Sequence, residues 1–87
     1  MPDRHPPTSQ EKKRLEAIAL RIAEIRHARE MTQDKLARAW GVHIQRVKES
    51  EASFNGTSLT LLRLAKALGV EPSALLELPG EPIRPTK

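Results

Sequence analysis

Downstream of Gly41 the chain reads HIQRVKESEA, where Gln45, Lys48 and Glu49 offer an amide, an ammonium and a carboxylate within one helical turn. Such groups recognise polar edges without making bonds. A glutamine amide can hold adenine through N6 and N7, and a carboxylate can accept from cytosine N4. Covalent chemistry has no comparable set. The absence of cysteine removes a thiolate nucleophile, a thiolate zinc site and a disulfide framework. His5, His27 and His43 are scattered without metal-ligand spacing. No Ser/His/Asp arrangement, glycine-rich phosphate loop or paired carboxylates can be made out. The expectation is a binding protein rather than an enzyme, with no cofactor and no metal.

The frame that must hold these groups is small. Eighty-seven residues allow one domain, and 38% hydrophobic with 30% charged residues suits a folded helical unit with an aliphatic core. A formal charge of +4 favours an anionic partner without demanding one. No apolar run approaches the roughly 20 residues of a membrane span, and no signal peptide is visible. Together with the lack of cysteine this places the chain in the cytoplasm. Residues 1–10 are proline-rich and read as a flexible arm carrying Arg4 and His5, either a mobile tail or an extension that reaches a duplex. Residues 79–87 read as a flexible tail, which leaves 11–78 as the folded part.

Within 11–78 the apolar spacing predicts helices throughout. Leu15, Ile18, Ala19, Ile22 and Ile25 fall at steps of three and four. Thr32 is placed to cap TQDKLARAW, and Gly41 to end it in a left-handed conformation. A third helix runs from near His43 to about Ala52, followed by the loop SFNGTS. Ser58 is placed to cap LTLLRLAKAL, with Leu61, Leu64, Ala65 and Leu68 on its buried face, and Pro72 opens PSALLEL. Five helices and no strand make an all-α domain. Counted from Gln33, apolar Leu36, Trp40, Val42 and Val47 with small Ala37 and Gly41 have the pattern of a helix-turn-helix. Two helices crossing over a tight turn need a small residue at their approach and a glycine at the bend. The outer face of the second is then free to enter a major groove.

Here the sequence resembles the XRE family, the Cro and phage-repressor type of helix-turn-helix protein. RIAEIRHAREMTQDKLARAWGV is similar to its first two helices and LTLLRLAKALGVEPSALLE to its last two. The resemblance implies a five-helix bundle of the phage-repressor DNA-binding domain type. It places Ile44, Gln45, Lys48 and Glu49 toward base edges, and Gln33, Arg46, Asn55, Thr57 and Ser58 at the DNA backbone. Glu51 matches a glutamate that pairs with a basic side chain of a neighbouring helix. Ser50 departs from the pattern, standing where the family buries an aliphatic or aromatic residue. Two readings follow, a slightly underpacked helix or a hydroxyl that bonds the Arg46 carbonyl, with Phe54 swinging in to compensate. Ala52 and Ser53 replace a common basic-or-Asn/Gly pair, and Thr57 a frequent proline. Two readings stay open for Glu49, a base contact or a solvated partner of Arg46. Two also stay open for His43, a phosphate contact or a plain helix start.

What the resemblance implies is a sequence-specific regulator of double-stranded DNA, a repressor binding a palindromic operator as a homodimer. Two reading helices would enter major grooves roughly 34 Å apart. Ala74, Leu75, Leu76 and Leu78 are the candidate dimer surface, or else they close the core. Two other functions fit the same fold. One is an antitoxin that binds a toxin and its own promoter. The other is a protein-binding module without DNA affinity, favoured by Glu49 and by the near balance of Lys35, Arg38, Arg46 and Lys48 against Asp34, Glu49 and Glu51.

Overall fold

Thr8 opens the first helix through a reciprocal cap. Its Oγ1 accepts the Glu11 N–H at 3.1 Å, while a Glu11 carboxylate oxygen accepts the Thr8 N–H at 2.8 Å. Helix α1 therefore spans Ser9–Ala28 and takes in Ser9 and Gln10, which composition alone assigns to the arm. The computed structural model describes residues 6–83, so the roles read for Arg4 and His5 lie outside the described residues.

Four shorter helices follow: α2 Gln33–Trp40, α3 Ile44–Ala52, α4 Ser58–Leu68 and α5 Pro72–Leu76. Thr32 caps α2 by accepting the Lys35 N–H at 3.0 Å. Gly41 (φ 83°) and Gly69 (φ 74°) end α2 and α4 in the left-handed region that other residues enter at a cost. The cap of α4 is Thr57, not Ser58. Thr57 Oγ1 accepts the Thr60 N–H, and the Thr60 hydroxyl accepts the Thr57 N–H in return. Ser58 has no partner that could reciprocate in this way and becomes the first helical residue.

Helix α1 packs on α3 and α5, α2 on α3 and α4, and α4 on α5. Ile22, Ile25, Leu36, Val47, Leu64 and Leu75 are fully enclosed where these pairs meet. Ala74 and Leu75 are 1% and 0% exposed, which corrects their assignment to a partner-facing surface. They close this core, because α5 is short and turns its middle onto α1 and α4. Leu76 and Leu78, at 47% and 54%, do remain on the surface.

The segment after α5 is tied down. Arg21 of α1 is wholly buried, its Nε donating to the Ala74 carbonyl at 2.8 Å and its Nη1 to the Glu81 carbonyl at 2.7 Å. The Gly80 N–H donates to the Glu24 carboxylate at 2.8 Å, and Ile83 packs against the core. Residues 79–83 thus lie along α1 rather than forming a loose tail, because two charged side chains supply partners for their backbone groups. Residues 84–87 lie outside the described residues. No helix among the described residues is long and apolar enough to cross a membrane.

Ser50 is buried, and its hydroxyl donates to the Arg46 carbonyl at 2.9 Å. Phe54 is buried as well. Ser50 also lines an open cleft of about 160 Å³ between the end of α3 and the start of α4. Ser50→Leu is expected to stabilise the domain by about 1 kcal/mol, since its added carbons have room in that cleft and each buried methylene contributes roughly 0.8 kcal/mol. A thermal melt checks this, as 1 kcal/mol moves Tm by about 4–8 °C in a domain of this size. A lower Tm would show that the hydroxyl bond outweighs apolar filling.

Candidate nucleic-acid interface

The α2–turn–α3 unit presents α3 as a rod with one face free. Beyond Gly41 the Val42 N–H returns to the Ala37 carbonyl at 3.0 Å, which closes the turn. His43 caps α3, its Nδ1 accepting the Gln45 N–H at 3.1 Å. Of the two readings of His43, the helix-start role is the one its ring performs here. Val47 and Ser50 form the buried underside. Helical rotation then turns Gln45 and Glu49, one turn apart, directly outward, with Lys48 beside them; all three are exposed.

Ile44 does not join them. It is half-buried and packs against the core, since the first residue of α3 leans back toward the turn. Arg46 stands on the flank of α3 with its guanidinium carbon 5.6 Å from the centre of the Trp40 ring. No ion pair joins it to Glu49 among the described residues. Glu49 is exposed and borders the cleft at the end of α3.

Glu51 belongs to the scaffold. Arg26 grips its carboxylate with two bonds, Nε at 2.7 Å and Nη2 at 3.1 Å, and both side chains are 9% exposed. Arg26 also donates to the Met31 carbonyl at 2.9 Å, fastening the α1–α2 turn to the same junction. The Gln33 amide donates to Glu51 Oε1 at 3.2 Å. One amide N–H of Gln33 is thereby engaged, and its second N–H and its carbonyl oxygen stay available to an outside partner. The start of α2 and the end of α3 are locked in register through one carboxylate.

Past α3, Asn55 and Gly56 line the polar cleft with Arg46, Glu49 and Ser53. Thr57 lies next to it, but its hydroxyl is engaged in capping α4. Ser58 is exposed at the first position of α4. The described fold thus gathers Gln45, Lys48 and Glu49 on one face, with Arg46 and Asn55 at its edge and Gln33 anchored behind it. Sequence reasoning left the partner of Glu51 unnamed. Arg26, one helical turn beyond Ile22, carries a signal for it. The contact of Arg46 with Trp40 carries none, because it crosses a turn where helical periodicity stops.

No family model matches the chain, and no curated protein matches it. Two solved structures are similar to it. The restriction-modification controller protein C.AhdI from Aeromonas hydrophila is 34% identical, with 70% of this chain and 94% of that chain covered and a TM-score of 0.64. The hypothetical transcription factor NHTF from Neisseria is 27% identical, with 91% and 88% covered and a TM-score of 0.70. With a shared all-helical architecture around a helix-turn-helix, the chain belongs to the family of helix-turn-helix transcription regulators that includes this controller protein.

Proposed function

We propose that the chain is a DNA-binding regulator of the XRE type that acts as a repressor on a palindromic operator, as a homodimer. The observation that carries this reading is the outer face of α3, where Gln45, Lys48 and Glu49 are exposed and free of intramolecular partners among the described residues, on a rod capped by His43 and buried beneath at Val47. Gln45 and Glu49 read base edges there, and Lys48 adds an attractive charge. Gln33, Arg46, Asn55 and Ser58 hold the phosphate backbone, with Thr57 presenting its main chain rather than its hydroxyl. A homodimer is supported by the near balance of charge around the motif, which makes one copy a weak electrostatic binder. Surface leucines supply apolar area for it, Leu76 at the end of α5, Leu78 just beyond it, and Leu59 and Leu62 on α4. The identity to a restriction-modification controller makes control of restriction-modification genes the first regulatory role to test.

Selection of bound sequences from a random duplex pool tests the proposal directly. A two-fold-symmetric winner is expected, and a pool that stays random at low ionic strength overturns the reading. On the selected duplex, Gln45→Ala is expected to cost about 1–3 kcal/mol and to relax discrimination at one base pair. Lys48→Ala is expected to weaken binding evenly across sequences and to lower the salt slope if it reaches a phosphate. Selectivity that survives Gln45→Ala removes that residue from the reading set.

A further inference from the structure

Arg46 has a carboxylate three residues ahead at Glu49, the spacing at which helical ion pairs form, and it does not use it. A helical ion pair does form elsewhere in this unit, at the four-residue spacing, where Arg38 bonds Asp34 at 3.0 Å. Arg46 instead lies over Trp40, the last residue of α2, whose ring is half-buried against the core and therefore fixed. Trp40 also borders a cleft with Ala39, Arg63, Lys66 and Ala67, none of them an acid that would compete for Arg46.

The two ways of holding an arginine leave it differently equipped. A carboxylate engages its N–H groups and cancels its charge. An aromatic face takes only the flat side of the guanidinium, so the in-plane N–H fork and the full charge remain for another acceptor. We propose that Trp40 is a positioning residue that holds the Arg46 guanidinium on the flank of α3 with its N–H edge free for a duplex phosphate. The inference rests on the DNA-binding reading above. Because Arg46 also borders the polar cleft at Asn55 and Gly56, its edge is presented at the boundary between the reading face and the loop. A held arginine loses less side-chain freedom when it engages an oxyanion, so the platform adds affinity without touching DNA itself.

Trp40 is the sole tryptophan of the chain, so its emission reports on the contact directly. In the free protein, Arg46→Gln is expected to move the emission maximum of the folded chain. On the duplex chosen by selection, Trp40→Leu is expected to weaken binding roughly two- to fivefold, the range of an exposed cation–π contact. Trp40→Phe keeps an aromatic face and is expected to bind nearly as wild type. In an Arg46→Gln background, Trp40→Leu is expected to add no further loss, whereas a merely structural tryptophan would give additive losses. Emission indifferent to Arg46→Gln, or additive losses in the cycle, overturns the inference with the regulator reading intact. A wild-type chain that binds no duplex at low salt overturns both, since Arg46 would then have no phosphate to meet.

Discussion

Arg21→Met is expected to destabilise the domain by about 3–5 kcal/mol, the combined cost of losing its charge-assisted hydrogen bonds to three carbonyls. Methionine keeps much of the aliphatic volume, so the loss reports on polar contacts rather than on a cavity. In the wild type, Arg21 Nε donates to the Ala74 carbonyl in α5, and its other nitrogens reach the Glu81 and Pro82 carbonyls and the Glu24 carboxylate. Glu24 is about one-third exposed and can return to water, so most of the effect is assigned to the carbonyls. The Ala74 carbonyl has the worst alternative, because its residue is buried and no solvent replaces the guanidinium. Urea unfolding measures the loss, and limited proteolysis should show cleavage within 77–83 under conditions where the wild type resists. A total stability of about 5–15 kcal/mol is usual for such domains, so the variant would sit near its folding threshold. A loss below about 1 kcal/mol would mean that the segment turns its carbonyls to water without disturbing α5, and that the tether is ornamental.

Arg21 also shows where sequence reasoning stops. Its place between Ile18 and Ile25 puts it near the buried face of α1, yet its type points to solvent. The carbonyls that make burial tolerable lie 53 to 61 residues further along, beyond any local rule. By contrast Thr32, Gly41, Gly69 and Pro72 act on the geometry of their own turn, so residue type is enough to place each of them. Thr57 and Ser58 are a middle case. Either hydroxyl suits a cap, and the choice falls to Thr57 because Thr60 stands at the right step to answer it. Glu30 closes α1 with a φ of 56°, where a glycine or asparagine would have announced the ending.

At the candidate interface the same division holds. Once Val47 is known to be buried, helical rotation alone exposes Gln45 and Glu49, so their presentation is readable from the pattern. The inward lean of Ile44 depends on how α3 meets the turn, and the Arg46 platform depends on where α2 ends. Ala74 and Leu75 look like surplus leucine-rich surface when read along α5. They prove to be core only when α1 is laid against them.

The two glutamates of α3, Glu49 and Glu51, should separate cleanly under mutation. Glu51→Gln is expected to cost about 3 kcal/mol of stability, because Arg26 is left at 9% exposure with a neutral partner in place of a bidentate carboxylate. The glutamine also presents an amide N–H group that faces Arg26 Nε in one orientation, and Arg26 Nη2 together with the Gln33 amide in the other. DNA affinity should fall further than the lost folded fraction explains, since Gln33 loses its anchor and the register between α2 and α3 loosens. Glu49→Gln is expected to leave stability within about 0.5 kcal/mol, as befits an exposed residue with no partner among the described residues, and to change which base pair is favoured. Chemical denaturation and selection on the same two variants provide both readouts. Equal stability losses would mean that Glu49 is held by the fold, while a specificity change confined to Glu51→Gln would move base recognition from the outer face of α3 to its supports. The charge taken off Glu49 also raises the local positive balance, so tighter nonspecific binding should accompany its altered preference.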